Sequence, residues 1–189
     1  PSAASSDTAA KDSSPATTAA AGSRDNTPVV LTGSADGTVT YGNDSVTVDA
    51  SHTEEGYLMV SYSGSNSKVK LQITGSDEIT YTYNLHDGYE TFPLTSGSGS
   101  YTVGVFENIE GTSYSTLFTQ AIDVTIQDEF GPYLYANQYV NFSADSKVIS
   151  KAMELSASAN DDLEVIENVY NYIITNFTYD YDKAASVQS

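Results

Sequence analysis

The sequence predicts a mainly β chain, an antiparallel β-sandwich followed by two α-helices. Three observations carry this. Apolar and polar residues alternate in several runs between positions 29 and 127. Turn-forming clusters separate those runs at short intervals. From Asp145 onward the period changes, and apolar residues recur at three- and four-residue steps. A period of two marks strands with one wet face, and a period near 3.6 marks amphipathic helices.

Residues 1–27 come before any of this pattern. They are Ser, Ala, Thr, Asp, Gly and Pro for the most part, with no apolar side chain larger than Ala or Pro. Such a segment cannot offset its own ordering entropy, so it is expected to be a disordered tether. The chain opens on Pro1 rather than Met, so the expectation is a fragment or a processed form.

The strands follow. Ser45-Val46-Thr47-Val48-Asp49-Ala50 alternates, and Lys68-Val69-Lys70-Leu71-Gln72-Ile73 puts Val69, Leu71 and Ile73 on one face. Glu78-Ile79-Thr80-Tyr81-Thr82-Tyr83, Tyr101-Thr102-Val103-Gly104-Val105 and Ala121-Ile122-Asp123-Val124-Thr125-Ile126 repeat the pattern. Turns are expected at 33–37, 41–44, 63–66, 75–77, 86–88 and 96–100, each rich in Gly, Asn, Asp or Ser. Seven or eight short strands at this spacing make a sandwich spanning 28–127. Tyr101, just after Gly99-Ser100, resembles the tyrosine that opens a late strand of immunoglobulin-like domains and bonds back to the preceding corner. The fold is therefore expected to be immunoglobulin-like. Glu110-Gly111 lies between two long β-runs, as a hairpin turn does.

A connector, 128–142, contains Pro132, Tyr133, Leu134, Tyr135, Tyr139, Val140 and Phe142. It is too apolar for a free linker and is expected to pack between the sandwich and the helices. In the first helix Val148, Ile149, Ala152, Met153 and Leu155 share a stripe, with Ser143 or Asp145 as the expected cap. In the second, Leu163, Ile166, Val169, Tyr170, Ile173, Ile174 and Phe177 form the stripe. Asn160 is the expected cap, and Asp161, Asp162 and Glu164 stand where carboxylates favour the helix dipole.

Composition excludes several functions. Twenty-five acidic residues against seven basic ones give a net charge of −18, so no footprint for nucleic acid exists. Cysteine is absent, which removes disulfides, thiolate metal sites and cysteine nucleophiles. No apolar window is long enough for a transmembrane segment. His52 and His86 sit in polar loops outside any recognised motif, and no Gly-x-Ser-x-Gly or phosphate-binding loop is present. Asp161, Asp162 and Glu164 lack the ligand spacing of an EF-hand. Asp180 and Asp182 alternate with Tyr179 and Tyr181, so an extended chain would aim both carboxylates the same way. They are the one pair weighed for a cation. No residue is assigned a catalytic, cofactor-binding or metal role, and no cofactor is expected. Fifteen tyrosines without a tryptophan suit strands, and they also offer stacking faces for sugars.

The tail carries a family likeness. Leu163-Glu164-Val165-Ile166-Glu167-Asn168-Val169-Tyr170-Asn171-Tyr172-Ile173-Ile174, then Asn176-Phe177-Thr178-Tyr179-Asp180, resembles the entry of bacterial transglutaminase-like domains, a branch of the papain-like cysteine peptidase fold. There a helix, a turn and a second helix end in an aromatic run with a Tyr-Asp pair. The resemblance covers 143–183, with the connector 132–140 as a looser match. It implies that 143–189 begin an incomplete α+β domain. The family's catalytic Cys, His and Asp have no counterpart among these residues, so the resemblance implies that this chain is inactive by itself. It further implies an exported bacterial protein, surface-held or lipid-anchored, with a cell-wall or extracellular protein or glycan as partner. In that reading 1–142 space or present a cysteine peptidase or acyltransferase. The competing reading is a stand-alone extracellular sandwich that works in adhesion or in carbohydrate or protein binding.

Overall fold

The structure, a computed structural model, describes residues 22–187. Most of the expected tether, 1–21, lies outside the described residues. Two compact units emerge. One is 29–149, and the other is 22–28 with 150–187.

The first unit is mainly β. Its strands are β1 (Thr40–Gly42), β2 (Val46–Asp49), β3 (Tyr57–Tyr62), β4 (Val69–Thr74), β5 (Thr80–Leu85), β6 (Gly88–Pro93), β7 (Gly99–Glu110) and β8 (Ser113–Val124). They form two antiparallel sheets in the orders β1-β2-β3-β6 and β5-β4-β7-β8. Immunoglobulin sandwiches place strands A, B and E in one sheet and C, F and G in the other. Here β2, β3 and β6 occupy the A, B and E places, and β4, β7 and β8 those of C, F and G. Strand β5 flanks β4 as C′ does, and β1 extends the first sheet.

Alternation explains β4: Val69, Leu71 and Ile73 are buried while Lys70, Gln72 and Thr74 are half-buried. Leu71 is in register with Tyr83 on β5 and Val105 on β7. A slip of one residue would turn this whole set to water, so burial fixes the register. The inner faces of both sheets build one core, which includes Val48, Val60, Leu71, Phe92, Val103 and Val105. Tyr83 meets Phe92 edge-on at 5.0 Å, joining the second sheet to the first.

Strand β3 breaks the alternation. Leu58, Val60 and Tyr62 belong to the core, and Tyr57 and Met59 are buried as well. Its outer face is covered by two segments outside the strands. Tyr135 of the connector lies on the Tyr57 ring at 4.4 Å, and the Tyr57 hydroxyl accepts the Ser34 N–H at 3.3 Å. Leu31 bridges to Tyr135 in parallel.

Two turns show how sequence sets geometry. Tyr101, buried at the start of β7, donates its hydroxyl to the Gly97 carbonyl at 2.7 Å, the expected corner bond. The β7–β8 hairpin turns at Gly111, whose φ of 56° is left-handed, and Asn108 Nδ2 donates to the carbonyls of Gly111 and Ser113. The connector follows the edges of both sheets. Gln138 Nε2 donates to the Asn84 carbonyl at 2.6 Å, and Tyr139 stacks on Tyr83.

The second unit holds most of α1 (Lys147–Ser156), α2 (Asp162–Asn176) and α3 (Tyr181–Val187). Asp161, not Asn160, caps α2: its Oδ1 accepts the Glu164 N–H at 2.9 Å, while Glu164 Oε2 accepts the Asn160 N–H at 2.8 Å. Neither Ser143 nor Asp145 stands next to α1; Ser146 does, with its Oγ accepting the Ser143 N–H. The third helix goes beyond the two expected. Asp180 opens it by accepting the Lys183 N–H at 2.9 Å.

Residues 22–27, expected to be tether, bond to the turn between α1 and α2. Asn26 Nδ2 donates to the Ser156 carbonyl at 2.6 Å and Ser23 N–H to Asn160 Oδ1 at 3.1 Å. A Cβ on Gly22 would fall 2.0 Å from the Ala159 carbonyl oxygen, so only glycine fits this approach. These contacts are polar and backbone-mediated, which is why apolar patterning gives no sign of them.

Replacing Tyr101 with Phe removes the Gly97 corner bond while keeping the buried ring. The expected loss is about 1 kcal/mol in urea unfolding with an unchanged slope; full retention of stability would show that the bond contributes nothing.

Candidate functional site

A set of ionisable side chains in the sandwich unit surrounds His52. The ring packs parallel to Tyr57, with centroids 5.3 Å apart. Its Nδ1 lies 3.1 Å from Glu55 Oε1, and its Nε2 lies 2.9 Å from Asp36 Oδ2 and 3.2 Å from Ser34 Oγ. The Tyr135 hydroxyl donates to the other Glu55 oxygen. Behind them Asp49 is buried, accepting the N–H groups of Gly37 at 2.7 Å and Ser51 at 2.9 Å. Three stretches of the chain, 34–37, 49–57 and Tyr135, thus build the cluster around one imidazole.

Ser34, His52 and Glu55 reproduce the order of a nucleophile, base and orienting carboxylate. The arrangement nevertheless works against catalysis. A base needs a free lone pair at Nε2, and here that nitrogen faces the Asp36 carboxylate as well as Ser34. Burial opposes the charged imidazole, but the bonds from Glu55 and Asp36 outweigh it and raise the His52 pKa above 6.5. The bond from Tyr135 leads the effects that hold Glu55 below the ordinary glutamate value. For Asp49, burial pushes upward, and the bonds from Ser51 and Gly37 more than reverse it. The cluster is an imidazole ring held between two carboxylates, a setting that favours its charged form.

His86 belongs to a separate cluster, 3.0 Å from Glu90 Oε1, which also accepts from Gln138 Nε2 at 3.1 Å. The structure assembles the His52 cluster from Ser34, Asp36, Glu55 and Tyr135, none of which the sequence singles out. The nearest signal is Glu55, three residues after His52 across a short turn.

The acidic residues weighed for cations are mostly spent on helix ends. Asp161 caps α2 and Asp180 caps α3, with Asp182 inside that helix. The extended geometry expected for Asp180 and Asp182 is therefore not adopted. Asp180 has a capping bond to the Lys183 N–H instead. Among the described residues no group of three or more His, Asp or Glu is placed to hold a metal ion. The Ser96–Ser100 segment forms the corner that Tyr101 bonds.

The helical unit presents a different kind of surface. Of the predicted α2 stripe, Leu163, Ile166, Tyr170, Ile173, Ile174 and Phe177 are all exposed, from 50% for Ile173 to 72% for Leu163. The half-buried side of α2 is instead Val165, Asn168, Val169 and Tyr172, where Asn168 Nδ2 donates to the Leu155 carbonyl at 2.9 Å. Val148 and Met153 of α1 are exposed as well. Isolated exposed apolar residues are ordinary, but six on one helix stripe form a surface that water covers at a cost.

Comparison with protein-family models, curated proteins and solved structures finds no match. Among the described residues no helix is long and apolar enough to cross a membrane.

The His52 cluster has a defined pH signature. Because the folded pKa lies above 6.5, its stabilisation is complete below pH 6.5 and fades as pH rises through the raised value. The lowered pKa values of Glu55 and Asp49 give stabilisation that fades only as pH falls into the carboxylate range. The destabilisation caused by His52→Gln should therefore be largest near the low end of the pH 5–8.5 range and shrink above neutrality. Urea unfolding of both proteins across this range checks it; a difference independent of pH would show that the imidazolium does not clamp the loops.

Proposed function

We propose that this chain is the non-catalytic part of an exported protein. Its sandwich spaces or presents a transglutaminase-like cysteine peptidase or acyltransferase domain to which the helices belong. The observation that carries this reading is the outward apolar stripe of α2. Each such side chain gains about 1.5–3 kcal/mol on burial, so the stripe suits a helix whose partner surface is supplied by further polypeptide. The tail resembles the entrance of that family, where such helices precede the catalytic centre.

The chemistry of this reading lies outside these residues. A thiolate would attack an amide carbonyl, with a histidine as base and an aspartate orienting it. The chain contains no cysteine, and its best-placed histidine is committed to Asp36 and Glu55. The sandwich's part is mechanical, a rigid body that holds the enzyme away from its attachment at an extracellular or cell-surface location.

The paired substitution Ile166→Lys and Ile174→Lys tests this. In the present chain it should leave the melting of the sandwich unchanged, because both side chains already face water. In a polypeptide continuing past Ser189, a cysteine at a helix start followed by His and Asp is expected, and there the pair should abolish folding of that domain. A tolerated pair, or a downstream sequence without such a cysteine, would overturn the reading.

A further inference from the structure

One cleft of the sandwich unit is built differently from the rest of its surface. It encloses about 640 Å³ between the corner before β7 and the start of the connector, within the ~300–1,000 Å³ of small-molecule sites. Phe130 and Tyr133 line it, 64% and 65% exposed. The backbone that carries them is closely packed. Between them Gly131 and Pro132 are buried in a 3-10 turn. A Cβ on Gly131 would fall 2.4 Å from the Glu55 carbonyl oxygen, and one on Gly56 would fall 2.5 Å from the Pro132 ring. Asp128 Oδ1 accepts the Phe130 N–H at 3.0 Å and fixes the entry to the turn. The opposite wall is equally fixed: Tyr101 holds the Gly97 carbonyl, and Ser98 Oγ accepts the Ile126 N–H at 2.9 Å.

We propose that this cleft binds a neutral saccharide. The C–H face of a pyranose stacks on an aromatic ring, and its hydroxyls need acceptors and donors close beside that ring. The cleft supplies both. Asp128 Oδ2, Glu129 and the Thr95 hydroxyl make no hydrogen bond among the described residues, and Ser98 keeps its O–H to donate. No Lys or Arg lines the cleft, which disfavours phosphorylated sugars and uronates. Both walls are preorganised, so binding orders little backbone. This inference concerns the sandwich alone and stands whether or not a transglutaminase-like domain follows.

The test is amide shift mapping on the full 189-residue chain with millimolar N-acetylglucosamine trimer, cellotetraose and, as a cationic probe, hexalysine. A saccharide should shift the amides of 95–98 and 126–131 with saturation. Tyr133→Ala should weaken that binding about tenfold or more with the sandwich's melting unchanged. Glu129→Gln, at an exposed side chain without a partner among the described residues, should also weaken it and keeps the test valid if Tyr133→Ala disturbs the turn. No shift with either saccharide, or shifts with hexalysine alone, would overturn the proposal.

Discussion

The sandwich unit depends on β3 being covered on both faces. Its inner side chains, Leu58, Val60 and Tyr62, join the core. Its outer ones, Tyr57 and Met59, would face water in an ordinary edge-to-edge sheet. Covering them requires the segment before β1 and the connector after β8 to lie against the same strand. That demand places Ser34 at the Tyr57 hydroxyl and Tyr135 on its ring. It also brings Asp36, Glu55 and Tyr135 around His52, since all of them ride on the covering segments or on the turn that leads into β3. The histidine cluster and the locked turn at Pro132 are both consequences of burying one strand twice.

The helical unit obeys a different balance. Its polar ends are satisfied with care: Asp161 and Glu164 at one start, Asp180 at another. Its apolar stripe is not. A helix gains most of its stability from packing that stripe, so α2 has satisfied termini and an exposed apolar stripe. The sandwich shows the reverse emphasis, with a closed core and loops that carry charge. The sandwich buries its apolar residues within itself while the α2 stripe stays exposed, and the proposed function assigns that stripe a partner surface.

Much of the sandwich was legible in the sequence because alternation is a direct imprint of one wet face. Val69, Leu71 and Ile73 announced β4, and Tyr101 announced its corner. Strand β3 carried no such imprint, since a strand buried on both faces reads as a continuous apolar run. Asn160 lost the cap to Asp161 by one residue, within the ordinary uncertainty of helix ends. The ordering of 22–27 rests on amide and backbone bonds to residues 130 and 137 positions away. Composition cannot report such bonds. The members of the His52 cluster were invisible for the same reason: only the fold brings Ser34 and Asp36 to the imidazole and Tyr135 to Glu55.

The central claim is that the sandwich stands alone and the helices do not. Peptide-resolved hydrogen exchange on the intact chain measures this directly. The account predicts that amides of β3, β4 and β7 exchange only through global unfolding, while those of 148–177 exchange orders of magnitude faster. Equal protection in the two regions would contradict it, because the exposed α2 stripe would then belong to a finished, self-contained fold.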